Sequence, residues 1–581
     1  MSRKMPRRGQ IFNSVMTPQV RRNAHNLSYE SKLTLNMGDL IPIYIQDVIP
    51  GTTLVKSTDL LNRVAPLIAP LMHRVDIYLH YFFCPNRLVD ENFEDFITQA
   101  LNGQGEGTVL PQVLSIYNDS PILKAGTLTD YMGLPSSDTY FNGEPAQTPA
   151  ESVSLLTDAH PFLIYQLIWN EYYRNEFVQD EIDIEPYFSL STINVDSITN
   201  NAIVTIRKHN WEKDYFVSAL PNTQIGDSVM VPFYGGVSVQ YQSNGNPWLV
   251  KNTNGTLISS LNPAPGDGGN LIGLHQQNTQ GISNLAIGLG STTTGAQINF
   301  NQPGYDITLD PNGTLRADLD TVQAGVDILD LYRSVALQQY LQISQRAGNR
   351  YIEYILAHYN VRSSDARLQR PVFLGGRKLP LSISEVLQTS ESTKESPLAD
   401  MAGHGIAAGS GFDFKAYFEE YGWVIGIMFI KPRSGYMQGL PRMFTRFSPF
   451  DYAIPSFQHL GEQEIREQEL FYDFTKDSYG IFTPSDTQST NSNTKLFGYT
   501  PRYAEYKYRP DEVHGDFRTT LQFWHMTRVF DTAPSLNSKF LEVENIQRPF
   551  ALNDDSNKFW VQLYHRVKCI QPLSLYGTPH I

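Results

Sequence analysis

Two cysteines, Cys84 and Cys569, are all that 581 residues contain. A disulfide framework is excluded, and buried free thiols rather than a bridge are expected. No apolar run reaches the ~18 residues that a membrane span needs, so no membrane insertion is expected. The basic N-terminus is not followed by the apolar stretch of an export signal. These absences read as a chain made and folded in a reducing cytoplasm. Charge is also scarce: Asp, Glu, Lys and Arg make up 18%, against a usual level of about 25%. The net charge of −14 argues against a general nucleic-acid binder, because Lys and Arg supply phosphate affinity.

Acidic residues are missing altogether before Glu30, although Arg3, Lys4, Arg7, Arg8, Arg21 and Arg22 are present. That cluster is either a solvated flexible tail or an arm that touches nucleic acid. Signatures of catalysis are absent too. The chain has no G-x-x-x-x-G-K-[ST] loop, H-E-x-x-H helix, G-x-S-x-G elbow or C-x-x-C pair. His459, His514 and His525 lack metal-ligand spacing. Glu462, Glu464 and Glu467 read as a solvated face rather than paired catalytic acids. Gly403-His404-Gly405 reads as a tight backbone crossing. No catalytic residue, metal site or cofactor is expected.

What is abundant is aromatic: 32 Tyr and 31 Phe beside 6 Trp. Such a chain can bury much surface and leave an exterior suited to partners. The organising stretch is 72–88, MHRVDIYLHYFFCPNRL, in which Val75, Ile77, Leu79 and Tyr81 alternate with Asp76, Tyr78, His80 and Phe82. A period of two marks a strand, and Pro85 should end it. Segments 40–49 and 559–569 read as strands able to pair with it, and 423–430, apolar on both faces, as a buried one. Strong strands near both ends, with long irregular segments between, suggest a β-sandwich closed by its termini.

Between these strands, 91–101, 162–177, 315–344 and 351–359 are expected to be helical, with Gly348 as a C-cap. Segments 213–221, 229–240 and 517–529 look strand-like; 60–71, 382–408 and 474–495 look like loops. Residues 241–313 are rich in Gly, Asn, Gln, Ser and Thr, and carry only Lys251, Asp267, Asp306 and Asp310 as charges. So long a segment reads as a surface insertion with short strands of its own, including a hairpin around Asn254-Gly255.

A series of blocks runs along the chain: NMGDLIPI (36–43), PLMHRVDIYLHYFFCPNRL (70–88), YQLIWNEYYR (165–174) and KDYFVSALP (213–221). DARLQRPVFLGG (365–376), SEVLQTS (384–390), MAGHGIA (401–407), 435–465, 501–526 and LYGTP (575–579) continue it. In content and order these blocks resemble the major capsid proteins of microviruses, particularly the gokushovirus-like branch of small single-stranded DNA bacteriophages.

The resemblance implies a mainly β fold, an eight-stranded antiparallel jelly roll with long loop and helical insertions. It would follow a basic arm at 1–38 and occupy 39–581, with 241–313 as a surface protrusion. The implied role is a major capsid protein that assembles into a T=1 icosahedral shell around a circular single-stranded DNA genome, with no enzymatic activity. Implied partners are further copies of the chain, the DNA, a small basic DNA-binding protein, an internal scaffolding protein, a minor pilot protein and a host-surface receptor, with a glycan as a candidate. The protein would reside in the virion after assembly in the host bacterial cytoplasm.

Within that frame Arg3, Lys4, Arg7, Arg8, Arg21 and Arg22 become candidate DNA contacts. Tyr241, Trp248, Phe300 and Tyr305 become candidate host contacts, although a soluble decoration is the alternative. Tyr436, Arg442, Arg446, Tyr452, Arg502, Tyr503, Tyr506 and Tyr508 become candidate subunit contacts, with intramolecular loop packing as the alternative. A competing function, a β-rich lectin-like or carbohydrate-active protein, would need convergent carboxylates or a metal site, and the sequence shows neither.

Overall fold

The computed structural model describes residues 21–98, 110–117, 121–136, 154–195, 201–230, 328–348, 350–387, 401–476, 493–552, 554 and 556–575, with short strands between 140 and 145 and between 238 and 318. The chain divides into two units, Met1–Gly226 with Leu341–Ile581, and Asp227–Tyr340.

The first unit is built on ten strands: β1 (Asn23–Asn26), β2 (Tyr29–Leu35), β3 (Ile41–Val48), β4 (Thr53–Val64), β5 (Val75–Pro85), β6 (Val372–Pro380), β7 (Ser382–Leu387), β8 (Met401–Tyr417), β9 (Gly422–Pro432) and β10 (Phe559–Gln571). In one sheet, β10 lies between β4 and the β1/β2 edge, and β4 continues through β8 to β7. The other sheet runs β6–β5–β9–β3. Every pairing in both is antiparallel.

The period of two explains the packing. Val561, Leu563 and Val567 of β10, with Leu54 and Leu60 of β4, meet Ile77, Leu79 and Tyr81 of β5 and Val424 and Met428 of β9 in one core. Each such aliphatic side chain contributes roughly 1.5–3 kcal/mol on burial. Trp560, Tyr564 and Arg566, the alternate positions of β10, are exposed.

The second sheet differs because both of its faces are covered. Phe82 and Cys84 of β5 and Ile425, Ile427 and Phe429 of β9 pack with Phe162, Leu163 and Ile168 in a second core. These last three lie on α1 (His160–Ile168), which begins with a proline in its first turn. Cys84 and Cys569 are free and buried, as expected.

Some elements depart from the sequence reading, each for a local reason. The expected arm is already sheet from Asn23, where β1 and β2 pair with β10. Residues 60–64 belong to β4 rather than a loop, before Pro66 intervenes. The helix at 162–177 stops early and passes into a wider turn at Trp169–Tyr173, closed by Arg174 N–H donating to the Trp169 carbonyl at 3.0 Å. Residues 213–221 turn instead of extending, because the Asp214 carboxylate accepts from the Phe216 and Val217 amides at 2.9 and 2.8 Å.

Residues 382–387 and 401–408 are strand rather than loop. Their glycines permit close approach: a side chain at Gly403 would lie 2.5 Å from the Ala69 carbonyl, the tight crossing expected there. Residues 517–529 form short turns in which amides return to carbonyls a few residues back, such as Trp524 to Leu521 at 3.1 Å.

In the second unit, Ser238–Gln242 pairs antiparallel with Thr314–Asp318. The expected helix at 315–344 is therefore strand at its start, and α2 (Ile328–Ala347) begins later. Trp248–Asn252 pairs antiparallel with Leu257–Ser260 and with Tyr305–Leu309, while the expected turn at Asn254-Gly255 lies outside the described residues. Gly348 follows α2 with φ +117, and α3 (Tyr351–Tyr359) lies where the second helix was expected. Most of the expected loop at 474–495 lies outside the described residues.

Candidate assembly surface

The segment after β9 is irregular yet tightly held. Its anchor is Tyr436, whose hydroxyl donates to Asp214 Oδ2 at 2.8 Å inside the core. Three short turns follow, Arg442–Phe444, Pro449–Asp451 and Pro455–Phe457. Asp451 Oδ2 accepts from the Phe447 and Ser448 amides at 2.9 and 2.7 Å, fixing the middle turn. Arg446 lies 4.2 Å from the centre of the Tyr506 ring and 5.7 Å from that of Tyr452, joining this segment to the one at 502–508.

Beneath these turns lies a charged floor. Arg442 pairs with Glu469 at 3.4 Å and faces Glu505 at 3.9 Å, and Tyr215 donates to Glu469 Oε2 at 3.0 Å. Burial raises the Glu469 carboxyl above its usual range, with Arg442 opposing the shift. Gln463 donates to Glu505 at 2.6 Å and accepts from the Tyr503 amide at 2.9 Å. A groove of about 600 Å³ opens beside it, lined by Met437, Arg442, Phe444, Tyr508 and His514 among others.

On this rigid frame stand large apolar side chains in water: Phe444 (63% exposed), Phe447, Phe450 (65%), Tyr452 and Leu460. Five large apolar side chains exposed on one short segment are more than a solitary soluble chain needs, and exposed apolar surface of this kind marks interaction sites. The candidate contacts divide accordingly. Tyr452, Tyr506 and Tyr508 are exposed, and Arg446 braces two of them. Tyr436 and Tyr503 are buried within the subunit, which removes their rings from any neighbour. Arg442 is half-buried in the floor, and Arg502 lies 5.2 Å from the Tyr503 ring centre. The Phe residues were overlooked in sequence because they fit neither helical nor strand periodicity. Their signal was apolar character flanked by Pro, Ser and Arg.

Elsewhere the candidates are scattered. Arg3, Lys4, Arg7, Arg8 and Phe300 lie outside the described residues. Arg21 is exposed, whereas Arg22 donates to the Tyr417 hydroxyl at 3.1 Å and covers its ring. Tyr241, Trp248 and Tyr305 occupy strand positions opposite Leu315, Leu309 and Asn252. Of the glutamates expected on a solvated face, Glu464 is exposed, whereas half-buried Glu462 pairs with Arg346 and buried Glu467 lies 3.4 Å from Lys495. Among the described residues no group of three or more His, Cys, Asp or Glu could hold a metal ion, and no helix is long and apolar enough to cross a membrane.

An antiparallel sandwich with elaborate insertions is the architecture of viral capsid β-sandwiches among others, and a braced aromatic exterior accords with that class. Comparison with known proteins gives the particular member of that class. The capsid protein (F protein) family matches residues 13–581, and the chain belongs to it. Capsid protein VP1 of Chlamydia phage 1 is 30% identical over 613 aligned residues, covering 98% of this chain and 97% of that protein. Capsid protein VP1 of Bdellovibrio phage phiMH2K is also 30% identical, over 583 residues with the same coverage. Capsid protein VP1 of Spiroplasma virus 4 is 24% identical over 602 residues, covering 99% and 98%. The chain is thus a gokushovirus-like microvirus major capsid protein, a structural shell component of the virion and not an enzyme.

Proposed function

We propose that copies of this chain close into a T=1 icosahedral shell around circular single-stranded DNA, and that the surface at 444–460 and 502–508 is a seam between copies. The observation that carries the seam is Phe444, Phe447, Phe450, Tyr452 and Leu460 held in water by a preorganised frame. Covering each ring contributes about 2–3 kcal/mol at roughly 25 cal/mol per Å², and little ordering entropy opposes it because the loop is already fixed. The order in which β2, β3, β4, β5, β6, β8, β9 and β10 are shared between the sheets supports an eight-stranded jelly-roll reading of the sandwich.

In this reading the arm before β1 faces the genome. Arg3, Lys4, Arg7 and Arg8 neutralise phosphate without reading sequence, and a small basic DNA-binding protein supplies the cations that a chain of net charge −14 lacks. An internal scaffolding protein and a minor pilot protein complete assembly in the host bacterial cytoplasm. The insertion at 241–313 stands outward, where Tyr241, Trp248, Phe300 and Tyr305 meet a host receptor, a glycan being the candidate ligand.

The test of the seam is Phe447→Ser with Phe450→Ser. Both residues are exposed, so the subunit should keep its unfolding midpoint while shells fail to close. Shells at the yield of the unaltered chain would refute the seam. For the arm, replacing Arg3, Lys4, Arg7 and Arg8 with Ala should lower DNA retention most strongly as salt rises; unchanged packaging across the salt series would count against it.

A further inference from the structure

Helix α2 leaves apolar side chains exposed along its length, Leu329, Leu337 and Tyr340 among them. Ile328, Leu331, Tyr332 and Val335 follow the i, i+3, i+4, i+7 spacing of one apolar stripe. All four are exposed, Ile328 and Tyr332 at 69% each. The half-buried positions on the neighbouring turns are polar: Asp330, Ser334 and Gln338. Ser334 Oγ donates to the Asp330 carbonyl at 2.7 Å, and Arg333 pairs with Asp330 at 3.2 Å. A surface helix that served only its own subunit would turn the apolar stripe inward.

We infer that this stripe is a contact between copies of the chain, with α2 of one copy lying against α2 of a neighbour in the shell. The inference rests on the self-assembly of the capsid family, which makes a second copy the partner present in every particle. Charge favours the same occupant: the stripe itself carries none, and Asp330 and Arg333 lie off it and answer each other. Two copies can therefore meet without bringing like charges together, whereas nucleic acid would find no cation on the stripe. Shape agrees, because helix-on-helix packing uses this spacing on both partners. The four side chains expose roughly 400–500 Å², about half of one partner's ~800 Å² share of a standard interface. The rest would come from the flanking turns.

Cross-linking in assembled shells tests the contact. Leu331→Cys with Val335→Cys places thiols on the stripe for either direction of packing. The two native cysteines are buried, and burial holds the Cys84 thiol far above its usual range, so the new thiols are the reactive ones. A short bis-maleimide should give covalent dimers of the chain from intact shells, none from dissociated subunits, and at least tenfold fewer from an Arg333→Cys control. Intact shells that give no such dimers, or only a link to another virion protein, would overturn the helix contact while leaving the capsid assignment standing. Failure of the unaltered chain to form shells would instead strike at the assignment. Leu331→Glu with Val335→Glu should reduce shell yield at least tenfold without moving the subunit's unfolding midpoint; yields equal to the unaltered chain would also overturn the contact.

Discussion

Replacing Asp413 with leucine should destabilise the sandwich far more than replacing Lys56 with methionine, although the two residues form one buried ion pair. The β8–β4 register shifts between Phe412 and Phe414, so Asp413 sits at a bulge with its side chain fully buried. It lies 3.7 Å from Lys56 and 3.2 Å from Arg377, and accepts from the Thr58 hydroxyl. Lys56 donates to Thr58 Oγ1 at 2.8 Å, approaches His565 Nδ1 at 2.9 Å and lies over the Tyr44 and Tyr81 rings. Burial lowers the Lys56 ammonium to about 7 despite Asp413, and burial with the Lys56 charge lowers His565 to about 3. Removing Lys56 leaves Asp413 with Arg377 and Thr58, at an expected cost near 1 kcal/mol. Removing Asp413 leaves the Arg377 guanidinium and, below about pH 7, the Lys56 ammonium without their anion, a loss of about 3–5 kcal/mol.

Denaturant unfolding of dissociated subunits, followed by tryptophan fluorescence, reads both variants. A pH series adds a check. Between about 7 and 10.5 the unfolded Lys56 binds a proton that the folded one does not, so its contribution makes stability rise with pH there. Lys56→Met should remove that contribution. Equal costs for the two substitutions, or a costlier Lys56→Met, would refute the reasoning.

His160 gives a slope of opposite sign. Burial opposes its charge, but Asp158 and Asp90 on either side of the ring raise it to about 9. Its stabilisation, up to about 3 kcal/mol at 1.36 kcal/mol per unit, is complete below pH 6.5 and lost as pH rises through 9; His160→Gln should flatten that part of the pH series. Gly439→Ala drives a methyl group into the Glu469 carbonyl, where Leu440 N–H donates to the Gln468 carbonyl at 2.7 Å. About 1–3 kcal/mol should be lost, and assembly should weaken with it, as an unfolding curve and a shell-yield assay would show.

How much of this was legible depended on whether the information was local. Val75 to Tyr81 and Val561 to Cys569 declare their strands through period two, and both terminal strands lie where that pattern put them. The pattern did not reveal that the opposite face of β5, with Phe82 and Cys84, meets a second core, because apolar character alone does not name its partner. The start of β8 was hidden by Gly403 and Gly405, which read as loop but make room for Leu67 and Val64. Thr314–Asp318 looked helical because its strand partner, Ser238–Gln242, is remote in sequence. The candidate assembly surface was legible as a Pro-, Arg- and Tyr-rich segment, but not residue by residue. The Tyr436 ring turns inward because its hydroxyl donates to Asp214, and the Tyr503 backbone amide is held by Gln463; composition indicates neither bond.

The most direct measurement is a reconstruction of the particle formed by the unaltered chain. The account predicts a closed T=1 shell in which Phe444, Phe447 and Phe450 are buried against a neighbouring copy. A chain that stays monomeric under every assembly condition would contradict the assembly claim itself, and a closed shell with those three rings in solvent would contradict the seam.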